Sequence, residues 1–389
     1  GVVPSPYARA RPSRAPRARA RLSRAPRARG GAGSGRSARV PAHTIVVDAM
    51  GGDHAPEAIV RGVAEASRLD ALTEARIELV GDEGLLRRLL AAAPHDAARV
   101  AIVPAEGAIP MDAKPRAALE AQPRASLPVA AARVRDAGGR AALVSAGNTG
   151  AVVLACAAAF RRLPGVERTA LAAVVPTARR RGAKNDPFSL LLDAGATLRV
   201  RPRDLAAFGQ MGATYAAIVS RNERPRVALL SNGTEATKGP PEVIEAHGIL
   251  AETAGLEFVG NVEPLHILRG VADVIVCDGF TGNITLKMIE GVSEQVTELA
   301  RYAHRSRLTW RLALWLLQGG IRRLKAVTDW QQYGGAPILG FDRLCIKAHG
   351  RSGPRAIENA IRVARRCLEQ DLCARIEARL GAEPQPRTS

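Results

Sequence analysis

Residues 272–291, ADVIVCDGFTGNITLKMIEG, place a short β-branched run, a polar glycine turn and a helical pattern in immediate succession. A buried parallel strand suits the first part and an amphipathic helix from Ile284 the last, with Ile284, Met288 and Ile289 on one side. Such a unit brings backbone N–H groups and a helix dipole to the carboxyl end of a strand, where both attract an anion. One unit says little, because glycine often serves only a positive φ. About five of them recur, after strands expected at 44–48, 141–144, 190–193, 226–230 and 344–347. Further strands are expected at 77–80, 100–103 and 257–259, with 171–175 and 190–193 as a hairpin. Helices are expected at 57–67, 85–91, 151–162, 204–220, 241–254 and 284–302, with another from Pro354, and Pro56 sits at a first helical position.

Strands alternating with helices predict an α/β fold with a largely parallel sheet and helices on both faces, three layers in all. Ligands bind such sheets outside the carboxyl ends of the strands, so the polar turns should line one crevice. The inventory there suits an oxyanion. Turn residues are Gly51, Gly52, Asp53, Gly147, Gly233, Asn261 and Gly282. Hydroxyls come from Ser145, Thr149, Thr234 and Thr281, amides from Asn148, Asn232 and Asn283, and cations from Lys114, Arg116, Lys238 and Lys287. His349 closes a strand just before a helix start and is a candidate base or anion ligand; Lys287 and Asp278 are the other catalytic candidates. His54 follows the same logic with less behind it. Asp48, Asp53, Asp193 and Asp278 sit at strand ends, where carboxylates order turns more often than they hold metal, and no metal or cofactor is expected.

The motifs exclude several classes. There is no GxxxxGK[ST] P-loop, no GxGxxG after the first strand and no GxSxG elbow. The five cysteines show no CxxC or zinc spacing and read as buried thiols in a reducing cytosol. The formal charge is +19, but residues 1–43 hold 11 arginines and no acid, which leaves +8 for the rest. That balance favours an acidic partner or anionic surface without implying nucleic acid. Residues 1–43 contain the near-repeats RPSRAPRARA and RLSRAPRARG and are expected to be disordered. Residues 307–327, RLTWRLALWLLQGGIRRLKAV, are apolar, cationic and acid-free. They suit the tip of a helical hairpin, about 292–328, at a membrane interface, with subunit packing or plain core as the alternatives.

The stretches VDAMGGDHAPEAIVRG, MDAKPRAAL, VSAGNTGAVV, LLDAGAT, GTEATKG, VGNVE, ADVIVCDGFTGNITLKMIEG, GGAPILG and IKAHGRS occur in this order over about 44–365. As a set they resemble the bacterial phosphate acyltransferases of phospholipid synthesis, the PlsX family. The resemblance implies a fold like isocitrate and isopropylmalate dehydrogenases and phosphotransacetylase. It implies a cytoplasmic homodimer peripherally attached to the inner face of the cell membrane. The implied reaction moves a fatty acyl group from acyl carrier protein to inorganic phosphate, with no cofactor. The acyl phosphate then goes to a glycerol-3-phosphate acyltransferase that uses it, toward phosphatidic acid. Phosphotransacetylases carry a similar GN turn and a Ser-Arg-Gly segment where this chain has His349-Gly350-Arg351-Ser352. Departures from the family pattern are Ala125 and Leu127 around Ser126, Thr197 in place of Asn, Leu198-Arg199-Val200 after it, and the basic loop 179–186. Two other readings stand beside the first: an acyl-CoA:phosphate acyltransferase, and a non-catalytic membrane scaffold for lipid synthesis.

Overall fold

The computed structural model describes residues 43–382, apart from Thr73, residues 182–185 and most of 307–333 (307–308, 310–314, 318 and 320–333). The expected disordered tail, nearly all of the 307–327 segment and the centre of the basic loop therefore lie outside the described residues. The chain begins with β1 (His43–Asp48), α1 (Glu57–Ser67), β2 (Ala75–Gly81), α2 (Glu83–Ala91) and β3 (Val100–Pro104). It continues through α3 (Pro115–Ala121), α4 (Ser126–Ala137), β4 (Ala141–Ser145), α5 (Thr149–Ala159), β5 (Ala170–Leu171), β6 (Ala173–Arg181) and β7 (Asp186–Leu192). Then come α6 (Pro202–Ser220), β8 (Arg226–Leu230), α7 (Pro241–Glu252), β9 (Glu257–Val262), α8 (Pro264–Ile267), β10 (Val274–Val276) and α9 (Gly279–Ser306). The last elements are β11 (Ala336–Leu339), β12 (Leu344–Lys347), α10 (Pro354–Glu369) and α11 (Leu372–Leu380).

The largely parallel α/β reading holds, with the strands divided between two sheets. One has the order β3-β2-β1-β4-β12-β11-β5, the other β6-β7-β10-β8-β9. In the first, β1, β2, β3, β4 and β12 are parallel, while β11 runs against both β12 and β5. In the second, only the β6–β7 hairpin is antiparallel. The chain crosses from one sheet to the other at Ala172, between β5 and β6. The expected polar turns accordingly lie at the strand ends of both sheets.

Apolar alternation decides which helix covers which face. Ile45, Val47, Ala142 and Val144 face α1 and α10 in a core that runs on beneath α6 to Leu190, Leu192 and Val227. Val46, Leu143 and Cys345 face the other way, against Leu127, Ala130 and Val134 of α4 and Val152 and Cys156 of α5. Helices on both sides of the sheet give the three expected layers. Aromatics are scarce, so these cores are built from Ala, Val, Leu and Ile.

Three local expectations change. Pro56 is the N-cap of α1 rather than its first helical residue. Residues 115–121 and 126–137 are helices where no helix was expected; Pro128 falls in the first turn of α4, where its missing N–H costs nothing. Helix α9 starts at Gly279, five residues before the apolar spacing begins, because Asp278 caps it. The Asp278 carboxylate accepts the N–H groups of Phe280 and Thr281, each at 2.9 Å, and the Thr281 hydroxyl at 2.6 Å.

Candidate active site

The strongest convergence lies where β1, β4 and β12 end side by side. Strand order reverses between β1 and β4, the position where open α/β sheets leave a crevice. The turn after β1 packs directly on the turn after β4: a Cβ on Gly51 would overlap the Asp48 carboxylate and lie 2.9 Å from the Gly147 nitrogen. Gly52, at φ +116°, brings the chain under the third turn, and Asp53 donates its N–H to the Gly350 carbonyl at 2.9 Å. Gly350 is held between Asp53 and Met111. Met111 is itself pinned, since the Asn148 side-chain amide donates to its carbonyl at 2.7 Å.

Asn148 is thus placed by both ends. Its side-chain oxygen accepts the Ala151 N–H at 3.1 Å and caps α5. Among the described residues, the Thr149 and Gly150 N–H groups and the Thr149 hydroxyl have no hydrogen-bond acceptor. They crown a helix whose sequence, TGAVVLACAAA, contains no charge. The start of α3 abuts this end of α5, with Pro115 only 2.8 Å from a Cβ placed on Gly150. Lys114 and Arg116, both exposed, flank this Pro in the sequence and so carry two positive charges to the same corner of the chain. Backbone donors, a hydroxyl and two cations around one helix N-terminus are what an oxyanion needs.

His349 opens the third turn. Its Nδ1 accepts the Arg351 N–H at 3.1 Å, so the proton of the neutral ring is on Nε2. Burial pushes its pKa below 6.5, and the Lys347 and Arg351 charges push the same way, against Asp53 and Glu294. The neutral ring therefore presents an Nε2–H donor, the arrangement that an anion ligand at this position needs. Because the folded pKa lies below the unfolded one, His349 contributes stability at neutral pH that is lost as pH falls through the folded value. Protonation at Nδ1 would remove the acceptor of the Arg351 N–H and disturb the turn, so activity is expected to drop on the same acid limb, below pH about 6.5. A pH profile of kcat/KM for His349→Gln, in which that limb flattens, checks this.

Ser145 is buried rather than presented. It donates to Asp48 at 2.7 Å and accepts the Gly147 N–H at 3.1 Å. Asp48 also accepts the Ser126 hydroxyl at 2.6 Å. Asp48, Ser126 and Lys347 were not among the expected site residues. The signal was a lone Lys closing an apolar strand, LCIK, and an Asp closing another, TIVVD. His54 is exposed and lines an open cavity of about 390 Å³ with Asp53, Glu57, Arg61 and Pro354.

The turns of the second sheet form two further groups. Asp193 accepts the N–H groups of Leu171, Gly195 and Ala196 on one oxygen and of Thr197 on the other, over 2.6–2.9 Å. A Cβ on Gly282 would overlap the Asp193 carbonyl, and Asn283 donates to the Ala194 carbonyl at 3.3 Å. The first donors of α9 are all taken: Gly279 by the Thr197 carbonyl and Gly282 by that of Asp278, the two between by the Asp278 carboxylate. The free anion-binding donors expected at this helix start are therefore not there. Asn232, Gly233, Lys238 and Asn261 lie together at the ends of β8 and β9. Ser231 bonds the Lys238 carbonyl at 3.0 Å and Asn261 the Glu235 carbonyl at 2.8 Å. These bonds shape the loop from within.

Helix α9 links the second sheet to the α5 site. Glu294 pairs with Arg351 at 3.1 Å, and the charges of Arg351 and Lys287 both act on half-buried Glu290, whose pKa burial raises. Lys287 thus stands two turns before Glu294, which meets Arg351. Beyond the site, α9 exposes Phe280, Ile284, Met288, Val292, Val296, Leu299 and Tyr302 as a stripe at helical spacing. No described helix is long and apolar enough to cross a membrane.

Residues 43–375 match the family model described as fatty acid synthesis protein. The phosphate acyltransferase of Clostridium perfringens is 37% identical over 332 residues, covering 85% of this chain and 95% of that protein. That of Heliobacterium modesticaldum is 42% identical over 344 residues, covering 88% and 99%. Among solved structures, a phosphotransacetylase from Streptococcus pyogenes matches at a TM-score of 0.55 and 16% identity, over 84% of this chain and 94% of that one. EutD phosphotransacetylase from Staphylococcus aureus matches at 0.51 and 16% over the same shares, and these two likenesses bear on the fold. By the match over most of its length, the chain belongs to the fatty acid synthesis protein family, that of the phosphate acyltransferases, and is an acyltransferase.

Proposed function

We propose that the protein transfers a fatty acyl group from acyl-acyl carrier protein to inorganic phosphate, forming acyl phosphate for phosphatidic acid synthesis. The observation that carries this reading is the N-terminus of α5. Its unclaimed Thr149 and Gly150 donors lie beside the start of α3, which bears Lys114 and Arg116 on either side of Pro115. Hydrogenphosphate is already a nucleophile near neutral pH. Its oxygen attacks the thioester carbonyl, the C–O bond forms, the C–S bond breaks, and its proton leaves with the thiol. The protein has to hold the anion in line and stabilise the tetrahedral oxyanion. In this reading α5 and the two cations hold phosphate, His349 donates through Nε2–H to the oxyanion, and Lys287 offsets charge. Asp278, Thr281, Gly282 and Asn283 set the start of α9, and Ser145 and Asn148 set the turn before α5.

The apolar stripe on α9 supports two finer parts of the reading, a homodimer and attachment at the inner face of the membrane. A face of this length exposed to water calls for cover. The moderately basic body suits an acidic carrier protein. The test uses purified protein with phosphate and matched carrier-protein and CoA thioesters, with acyl phosphate trapped by hydroxylamine. Phosphate-dependent product, at least tenfold faster from the carrier protein, is expected. Equal or faster use of CoA would transfer the donor assignment to CoA, and thiol release that ignores phosphate would remove the phosphate reading.

A further inference from the structure

Directly beneath the α5 mouth runs a row of three buried polar side chains. Val47 pairs with Val144 and Ser145 with Lys347, so Asp48, Ser145 and Lys347 stand abreast at the ends of β1, β4 and β12. Side chains abreast in a parallel sheet share a face, here the face covered by α4 and α5. All three are at most 7% exposed. Asp48 takes a hydroxyl on each oxygen, from Ser126 and Ser145, and Ser145 can then accept the Gly147 N–H. The carboxylate is the first link of a chain that ends at the turn before α5.

That chain requires an ionised Asp48, since a protonated carboxyl turns one acceptor into a donor and forces a serine to rotate. Burial drives Asp48 toward its neutral form, while the serine hydrogen bonds, the Met50 N–H and the Lys347 charge oppose this. The surrounding charges single out Lys347. Helix α5 brings only the Cys156 thiol to this face. On α4 the charged groups Arg133, Arg135 and Asp136 lie toward its far end, with Arg133 on Glu78. Lys347 donates to the Ala348 carbonyl, and the Cys345 thiol, Asp48 and Asp53 act on its charge.

We propose that Lys347 is a positioning residue of the acyl-transfer site: its buried ammonium keeps Asp48 ionised and, through Ser145, fixes the turn that presents the α5 amides to phosphate. This rests on the phosphate reading of α5. Burial lowers the Lys347 pKa to about 8, so the cation is lost on the alkaline side and the turn loses its support there.

The experiment measures kcat and KM for phosphate from pH 5.5 to 9.5 with the full chain, as wild type, Lys347→Met, Asp48→Asn, the double variant and Ser145→Ala. Wild type is expected to show an alkaline limb near pH 8. Lys347→Met should lose that limb and raise KM for phosphate about tenfold or more, with a smaller change in kcat. Its acid limb should move up, because both Asp48 and His349 lose the lysine charge. The double variant should be no more than about threefold worse than the worse single one. Ser145→Ala removes a single atom of the chain and should raise KM for phosphate in the same way. The proposal is overturned if folded Lys347→Met keeps the wild-type KM and pH profile. Should that variant not fold, an unchanged KM in Ser145→Ala or a wild-type profile flat to pH 9.5 overturns it. Either result leaves phosphate-dependent turnover by wild type intact, whereas turnover by wild type that ignores phosphate removes the underlying reading as well.

Discussion

Alanine at Gly51 is expected to lower kcat/KM for phosphate about a hundredfold while the protein still folds. The added methyl would enter the Asp48 carboxylate and press on the Gly147 nitrogen. Relief requires the turns after β1 and β4 to part by a few tenths of an ångström to an ångström. Each neighbour carries part of the site: Gly147 leads into Asn148 and the open end of α5, and Asp48 anchors Ser126 and Ser145. Misplacement on this scale is enough for losses of about a hundredfold in a reaction that depends on alignment. Rates against phosphate concentration check it, with the melting temperature as control. A loss confined to stability, with kcat/KM of the folded fraction within about threefold of wild type, would show that the two turns need not touch for catalysis.

Alanine at Gly282 is expected to act on stability first, by about 3 kcal/mol or more. Here the methyl meets a backbone carbonyl, that of Asp193, which has no rotamer to escape into. The Asp193 carboxylate is already committed to four N–H groups spanning Leu171 to Thr197, so the turn cannot shift without breaking them. Helix α9 must lift instead. Lifting it also separates Glu294 from Arg351, so activity should fall in the surviving folded protein. Chemical denaturation of the variant beside wild type measures the first effect. A midpoint unchanged within error would mean that α9 does not sit on this turn.

Periodicity located most elements, and three of them, 57–67, 226–230 and 344–347, coincide with α1, β8 and β12. The misses have local causes. Pro128 disguised α4, and Pro337 between glycines disguised β11. Turn residues were legible as turns, but the partner of each polar side chain was not. Asn, Asp, Ser and Thr at a helix start serve the helix itself as readily as a ligand, and Asn148, Asp278 and Thr281 do so here. Lys347 was invisible for another reason. Its significance depends on β12 lying beside β4, about 200 residues earlier in the chain, and nothing local specifies that pairing.

The position of β12 also sets the order in which the protein becomes competent. During synthesis β1 through β4 and α5 emerge long before residues 344–353, and until then β4 has no neighbour on one side. A nascent chain halted after β10 holds the Asp48 and Ser145 turns but neither Lys347 nor His349. Early half-sites of this kind leave an unpaired strand edge open to wrong partners. The last eighth of the sequence therefore closes the first sheet and, in the reading proposed above, completes the site in one step, so that an unfinished chain is expected to be inactive.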